Sequence, residues 1–302
     1  MKSELIPPSK RALPYLALVI GVMALSFSAL FVRWADAPGT ITSFYRMSLA
    51  SLILAPVWAA RGKNQIGSIR KFWFLPLAGG LFTALDHGVW STSIATTRIA
   101  NATLLNNMAP LWVALFAVLI WKEKLGAWFW MGLLLALSGA TIVMGHDLIT
   151  NPQLTGGDFL ALLSSLFYAG YFLITQSARS RMRTLSYIWL VDLSAAFFLL
   201  IFNLAMRQEL GGYNSTTWLV FLATAVVSQV TGYFSIGYAL GHLPASVVSP
   251  TMVAQPVLTA LMAIPLAGEP LNAAQLLGGL AVLAGIYMLN RYHARREPAL
   301  AG

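Results

Sequence analysis

The chain contains no cysteine, which excludes disulfides, thiolate nucleophiles and cysteine-ligated metals. Charge is almost as scarce. Only 10% of the 302 residues are Asp, Glu, Lys or Arg, against about 25% in an average soluble protein, and 58% are hydrophobic. Too little charge remains to clothe a water-facing globule. The four histidines are scattered at 87, 146, 242 and 293 with no HExxH spacing, so no metal site is expected. A phosphate-cradling glycine loop is missing too, and ATP cannot power this chain from within. No cofactor is expected. A membrane-embedded enzyme is disfavoured because no residue pattern sets a nucleophile beside a base.

Long apolar runs are what the sequence has in abundance. Each is about 20 residues, enough to cross a bilayer. Breaks at charge, Gly or Pro predict ten spans, over 13–33, 39–60, 72–95, 99–120, 126–145, 157–177, 185–206, 216–239, 244–267 and 271–290. The first run follows basic residues, as a signal peptide does. It continues to about Val32 without a small-x-small cleavage site and is read as a retained helix.

The net charge of +9 does not point to nucleic acid, because the basic residues fall in short clusters between apolar runs and form no single patch. Their distribution reads as topology. Lys2, Lys10, Arg11, Arg61, Lys63, Arg70, Lys71, Lys122, Lys124, Arg179, Arg181, Arg183, Arg291, Arg295 and Arg296 fall on one side of the ten spans. Arg33, Arg98 and Arg207 fall on the other, and Arg46 lies inside a span. Fifteen against three places both termini, residues 1–12 and 291–302, in the cytoplasm. The expected location is a cell membrane crossed many times, the inner membrane of a bacterium.

A shift of 146 residues lays "PLWVALFAVLIWKEKLGAWFWMGLLLALSG" (110–139) over "PVLTALMAIPLAGEPLNAAQLLGGLAVLAG" (256–285), with eleven of thirty positions identical. Pro110 meets Pro256, Glu123 meets Glu269, Gly132 meets Gly278 and Gly139 meets Gly285. Proline, glutamate and two glycines in one register argue for repetition. The predicted fold is all-α: ten transmembrane helices in two five-helix repeats, 13–145 and 157–290. Five is odd, so the second repeat enters the membrane inverted. Inverted repeats are a recurrent build for secondary transporters, with the substrate site between halves near the midplane.

The sequence also resembles a known family. "LSFSALFVRWADAPGTITSFYRMSLASLILAP" (25–56), the paired "P…E" segments at 110–123 and 256–269, and "GDFLALLSSLFYAGYFLITQSARSRM" (157–182) are similar to EamA-type members of the drug/metabolite transporter superfamily. The resemblance covers roughly residues 13–290. It implies a ten-helix inverted-repeat fold and movement of small metabolites, often the export of amino acids or related compounds. A channel, or an importer of small solutes, is the alternative; saturable counter-exchange separates them. Export by alternating access would make the partners a small-molecule substrate, the bilayer and protons, in a monomer or homodimer, with no nucleic acid.

Polar residues inside apolar spans are costly and mark function. Proline removes a backbone donor and crowds the carbonyl four residues back, so Pro110 and Pro256 predict helix kinks that free backbone polarity at Asn106 and Met252. Freed carbonyls in hydrocarbon must face protein or a watery cavity. Asn106, Asn107 and Gln255 stand beside these kinks and are candidate substrate ligands, or else polar contacts between helices. Arg46, Asp86, His87 and Asp192 are the ionisable side chains well inside spans. Arg46 is a candidate for holding a substrate carboxylate, or for pairing with Asp86. Asp86 and His87 are candidates for proton coupling, histidine titrating closest to neutral pH. Asp192 reads as structural. Tyr45, Trp90, Ser91, Tyr168, Tyr171, Gln229 and Tyr233 complete the expected cavity wall, Tyr168 and Tyr171 sharing a helix face at i, i+3. Glu123 and Glu269 sit at helix junctions and read as partners of helix N-termini.

Overall fold

The computed structural model describes residues 8–94, 96–97, 99–144, 155–267 and 273–296; among them there is helix and no strand. Helix occupies every predicted span. The first half comprises α1 (Pro8–Ser26), α2 (Ser28–Trp34), α3 (Gly39–Arg61), α4 (Ile66–Phe72), α5 (Phe74–Ile94), α6 (Ile99–Asn106), α7 (Ala109–Trp121) and α8 (Ala127–Met144). The second comprises α9 (Gly156–Arg179), α10 (Thr184–Ala205), α11 (Ser215–Ala223), a π-helix (Thr224–Tyr233), α12 (Phe234–Ala239), α13 (Ala245–Thr251), α14 (Ala254–Ala267) and α15 (Ala273–Arg296).

Among the described residues, seven helical segments are long and apolar enough to cross a membrane: Ala12–Val32, Gly39–Arg61, Ala102–Trp121, Gly156–Arg179, Thr184–Ala205, Ser215–Ala239 and Ala273–Tyr292. Leu119, Trp128, Leu134, Leu277, Leu280 and Leu283 are exposed, as apolar side chains are when the solvent is lipid rather than water. The molecule is an all-helical multi-pass membrane protein.

Local chemistry sets where helices begin and break. The start of α9 is a capping box in which Thr155 and Asp158 satisfy each other's backbone groups. Lys122 ends α7 in the left-handed region, φ 53°, turning the chain sharply toward α8. The break between α6 and α7 covers Asn107 and Met108, with Pro110 in the first turn of α7, where its missing N–H costs nothing. The break between α13 and α14 covers Met252 and Val253 with Pro256 just beyond, at the matching place in the second half. Broken helices need partners for their freed carbonyls. At the α1–α2 break, the Thr259 hydroxyl of α14 donates to the Ser26 carbonyl at 2.8 Å.

The repeated glycines pack against each other. A Cβ on Gly285 would lie 2.5 Å from the Gly132 carbonyl oxygen, and one on Gly139 would lie 2.5 Å from that of Gly278. Backbones this close leave no room for a side chain, and α8 and α15 run antiparallel through the contact. The buried faces of α3 and α10 correspond as well. A shift of 145 residues carries buried Ile41, Arg46, Met47, Ala50 and Leu54 onto buried Ser186, Val191, Asp192, Ala195 and Leu199.

Candidate functional site

The polar centre is built where α3, α10 and the π-helix meet. Arg46 on α3 is 4% exposed, Asp192 on α10 is fully buried and Gln229 on the π-helix is 1% exposed. Arg46 Nε donates to Gln229 Oε1 at 2.9 Å, and Gln229 Nε2 donates to Asp192 Oδ1 at 2.6 Å. One neutral amide thus bridges the buried guanidinium to the buried Asp192 carboxyl group. The guanidinium carbon also lies 5.1 Å from the ring centre of Tyr233, where the aromatic face attracts a cation. Tyr171 meets Tyr233 edge-on at 5.5 Å, and Tyr168 stacks near Tyr171 at 6.5 Å, so these three tyrosines form a wall beside Arg46.

The π-helix is the backbone device behind this arrangement. Its bonding reaches back five residues instead of four, and the Thr231 hydroxyl follows the same spacing to the Val226 carbonyl at 3.0 Å. The wider turn buries Ser228, Gln229, Gly232 and Tyr233 together. π-helical turns are rare and recur at functional sites.

A second polar group joins the two halves. Asn106, the last residue of α6, donates from Nδ2 to Asp86 Oδ1 on α5 and to Ser164 Oγ on α9, both at 2.8 Å. Asp86 is 7% exposed, and its carboxylate is held by this amide; Arg46 turns instead to Gln229. His87 approaches Ser43 Oγ through Nδ1 at 3.1 Å, one turn of α3 from Arg46. His87 Nε2, Trp90 Nε1, Ser91 Oγ, Tyr171 Oη, Asp192 Oδ2 and one terminal nitrogen of Arg46 are buried without a protein partner. A buried polar atom left unpaired costs about 1–3 kcal/mol. Arg46, Asp192 and Tyr171 bring three of these atoms to the polar centre, while Ser91 lies against Gly39 at the start of α3.

Three sequence candidates lie apart from this wall or bond elsewhere. Asn107 Nδ2 donates to the Thr103 carbonyl of its own helix at 2.8 Å, serving the α6–α7 break. Tyr45 belongs to an aromatic cluster with Trp218 and Phe221, at centroid distances of 4.7 and 4.9 Å, and its hydroxyl donates to the Leu210 carbonyl. Gln255 is half-buried in the first turn of α14, its backbone N–H on the Met252 carbonyl at 2.9 Å. Glu123 accepts from the Ser246 hydroxyl at the start of α13 at 2.9 Å, while Glu269 lies outside the described residues. The sequence reading left Ser164 unmentioned and gave Asp192 a structural role, and Asp192 accepts the Gln229 hydrogen bond. A lone carboxylate inside an apolar span was the available signal for Asp192; for Ser164 there was none.

A cleft of about 830 Å³ opens at the end of the bundle that carries Arg61, Arg181 and Arg183. Its inner wall includes Val230 and Phe234, the residues directly after Gln229 and Tyr233, so it approaches the polar centre without containing it.

The molecule is thus a many-helix membrane protein with ionisable side chains buried at its core. The EamA-like transporter family model matches residues 12–145 and again residues 155–291, and the chain belongs to that family. It is 25% identical over 238 residues to an uncharacterized transporter of Methanothermobacter thermautotrophicus, a match covering 72% of this chain and 64% of that protein. It is 20% identical over 271 residues to the uncharacterized transporter YdfC of Bacillus subtilis, covering 89% and 88%. A UDP-N-acetylglucosamine transporter of Rattus norvegicus is 22% identical over 169 residues, 50% of this chain and 52% of that one. One crystal structure superposes with a TM-score of 0.78 over 91% of this chain and 96% of its own, at 16% identity, a likeness of fold.

Proposed function

We propose that the protein is a secondary transporter that moves a small metabolite across the cytoplasmic membrane by alternating access. Ten spans form two inverted five-helix repeats, and both termini lie in the cytoplasm of a bacterial cell. The antiparallel glycine contacts of α8 and α15, the matched helix breaks and the matched buried faces support the inverted arrangement. Two halves of similar build can exchange conformations and so expose one central site to each side in turn.

The observation that carries the reading is Arg46. A charge at mid-membrane costs roughly 2.5–3.5 kcal/mol even on insertion scales. Here it is kept, bridged through Gln229 to Asp192, and still presents an unpaired nitrogen. The substrate is an amino acid or a related amphiphile, its anionic group on Arg46 and its apolar part against Tyr168, Tyr171 and Tyr233. Asn106 adds a hydrogen bond, with Trp90 on the outer wall. Asp86 and His87 carry the coupling proton. The protein performs no covalent chemistry on what it carries, and export is the working direction.

The deciding experiment uses purified protein in sealed liposomes loaded with a mixture of unlabelled amino acids. Saturable uptake of a labelled one by counter-exchange, without an imposed gradient, is the expected result; flux that neither saturates nor exchanges would indicate a channel. In the same vesicles, His87→Gln should flatten the dependence of transport on pH, and a profile matching the unaltered protein would remove His87 from the coupling.

A further inference from the structure

The cleft at the arginine-bearing end has two zones. Leu54 and Val57 of α3 face Val230 and Phe234 across its inner part, and Arg61, Arg179, Arg181 and Arg183 stand around it with Gln65 and His242. Among the described residues, none that lines it is Asp or Glu. Four arginines therefore share one concavity with no carboxylate among its described lining residues. Arg179 is committed to the fold: Nε donates to the Gly237 carbonyl at 2.9 Å, and a terminal nitrogen donates to the Met182 carbonyl. Neutral carbonyls orient that charge and do not cancel it. Arg61, Arg181 and Arg183 are exposed, the Arg181 guanidinium lying 5.4 Å from the Phe72 ring centre. Thr184, Leu185 and Ser186 also line the cleft, which adds the positive end of the 22-residue helix α10.

Membrane topology accounts for the sign of these residues but not for their convergence. Lys122 and Arg291 belong to the same side by sequence, yet neither lines the cleft. Like charges crowded at a low-dielectric wall repel one another and concentrate anions. Guanidinium groups match the oxygens of phosphate and carboxylate in paired hydrogen bonds.

We propose that this cleft binds an amphipathic anion. A phosphate or carboxylate head sits among Arg61, Arg181 and Arg183, and an apolar body lies along Leu54, Val57, Val230 and Phe234. The head can come from an acidic phospholipid of the surrounding leaflet or from a soluble organic anion entering from water. Both present the same chemistry to the arginines. The inference concerns binding at equilibrium and does not depend on transport, so it stands or falls apart from the reading above.

The test follows thermal unfolding of the full chain by tryptophan fluorescence, with two probes. One is phosphatidylglycerol against phosphatidylcholine in nanodiscs; the other is phenyl phosphate in neutral detergent. Arg61→Gln/Arg181→Gln/Arg183→Gln removes the cleft charges and spares Arg179. Arg70→Gln/Lys122→Gln/Arg291→Gln removes equal charge outside the cleft. Stabilisation by phosphatidylglycerol that survives in the second variant, and weakens roughly tenfold or more in apparent affinity in the first, identifies a lipid head. The same pattern with phenyl phosphate identifies a soluble anion. No response of the unaltered protein to either probe overturns the proposal, and so does equal weakening in both variants.

Discussion

At the residue scale the question is how a few polar groups persist in an apolar bundle, and the bonds around Arg46 answer it. Gln229 receives from Arg46 and gives to Asp192, so each charge keeps a polar neighbour without closing a direct ion pair. Arg46→Gln removes the cation and leaves Asp192 facing an amide. A hydrogen bond to a charged group is worth about 1.5–3 kcal/mol, and loss of the cation that meets the substrate's anionic group should lower transport roughly 100-fold. Arg46→Lys keeps the charge but not the planar fork, and should recover only part of the loss. Transport by Arg46→Gln at the unaltered rate, in protein that remains folded in the membrane, would remove Arg46 from the site. Asn106 and Asn107 separate in the same way. Asn106→Leu strips a donor from both Asp86 and Ser164 and should abolish transport. Asn107→Leu loses a bond to its own helix and should cost about 0.5–1.5 kcal/mol of stability with transport largely kept. Equal effects of the two substitutions on transport would contradict this division.

At the element scale, helices were legible and their meetings were not. Apolar runs announced the helices except the short α4, which falls between predicted spans, and Pro110 and Pro256 announced breaks, because both signals are local. Asp86 with Ser164 or Arg46 with Asp192 are long-range encounters that no local pattern encodes. Tyr45 shows the limit well: it precedes Arg46 by one residue, yet points into the cluster of Trp218 and Phe221. The π-helix was also hidden, since "TAVVSQVTGY" has no residue that forbids ordinary helix and its geometry lies in the hydrogen bonding. The glycines were the exception. Their register in the sequence repeat foreshadowed the contact of α8 with α15. Gly285→Leu must push aside the Gly132 carbonyl and the Ala136 nitrogen, both backbone atoms within 2.6 Å of the new Cβ. Overpacking of this kind costs about 1–3 kcal/mol or more, so the variant should melt earlier and accumulate less in membranes. Gly211→Ala, with nothing within 4 Å of the added carbon, should behave as the unaltered protein. Similar melting of both variants would show that the close approach of α8 and α15 is dispensable.

At the scale of the whole molecule, the two ends of the bundle are not alike. One end opens as the arginine-lined cleft, reaching Phe234 one residue from Tyr233. The other is closed by aromatic packing, with Tyr45 stacked 4.9 Å from Phe221 and Tyr213 edge-on to Phe221 at 5.6 Å. The Asn203 amide also donates across to the Thr40 carbonyl at 3.2 Å, tying α10 to α3 near the same end. An alternating-access cycle requires that this closed end part while the cleft narrows, because a site open at both ends would leak. The absence of cysteine makes the requirement easy to test. A short bis-methanethiosulfonate linker, which forms a disulfide with each cysteine and releases methanesulfinate, joining Tyr45→Cys to Phe221→Cys should hold the aromatic end shut and stop counter-exchange. Each single-cysteine variant treated with the same reagent should continue to transport. Access of a water-soluble thiol reagent to a cysteine placed at Val57, on the cleft wall, should persist in the locked protein, since that end stays open. Undiminished exchange through the cross-linked protein would mean that the aromatic end never opens, and that solute takes a path elsewhere in the bundle.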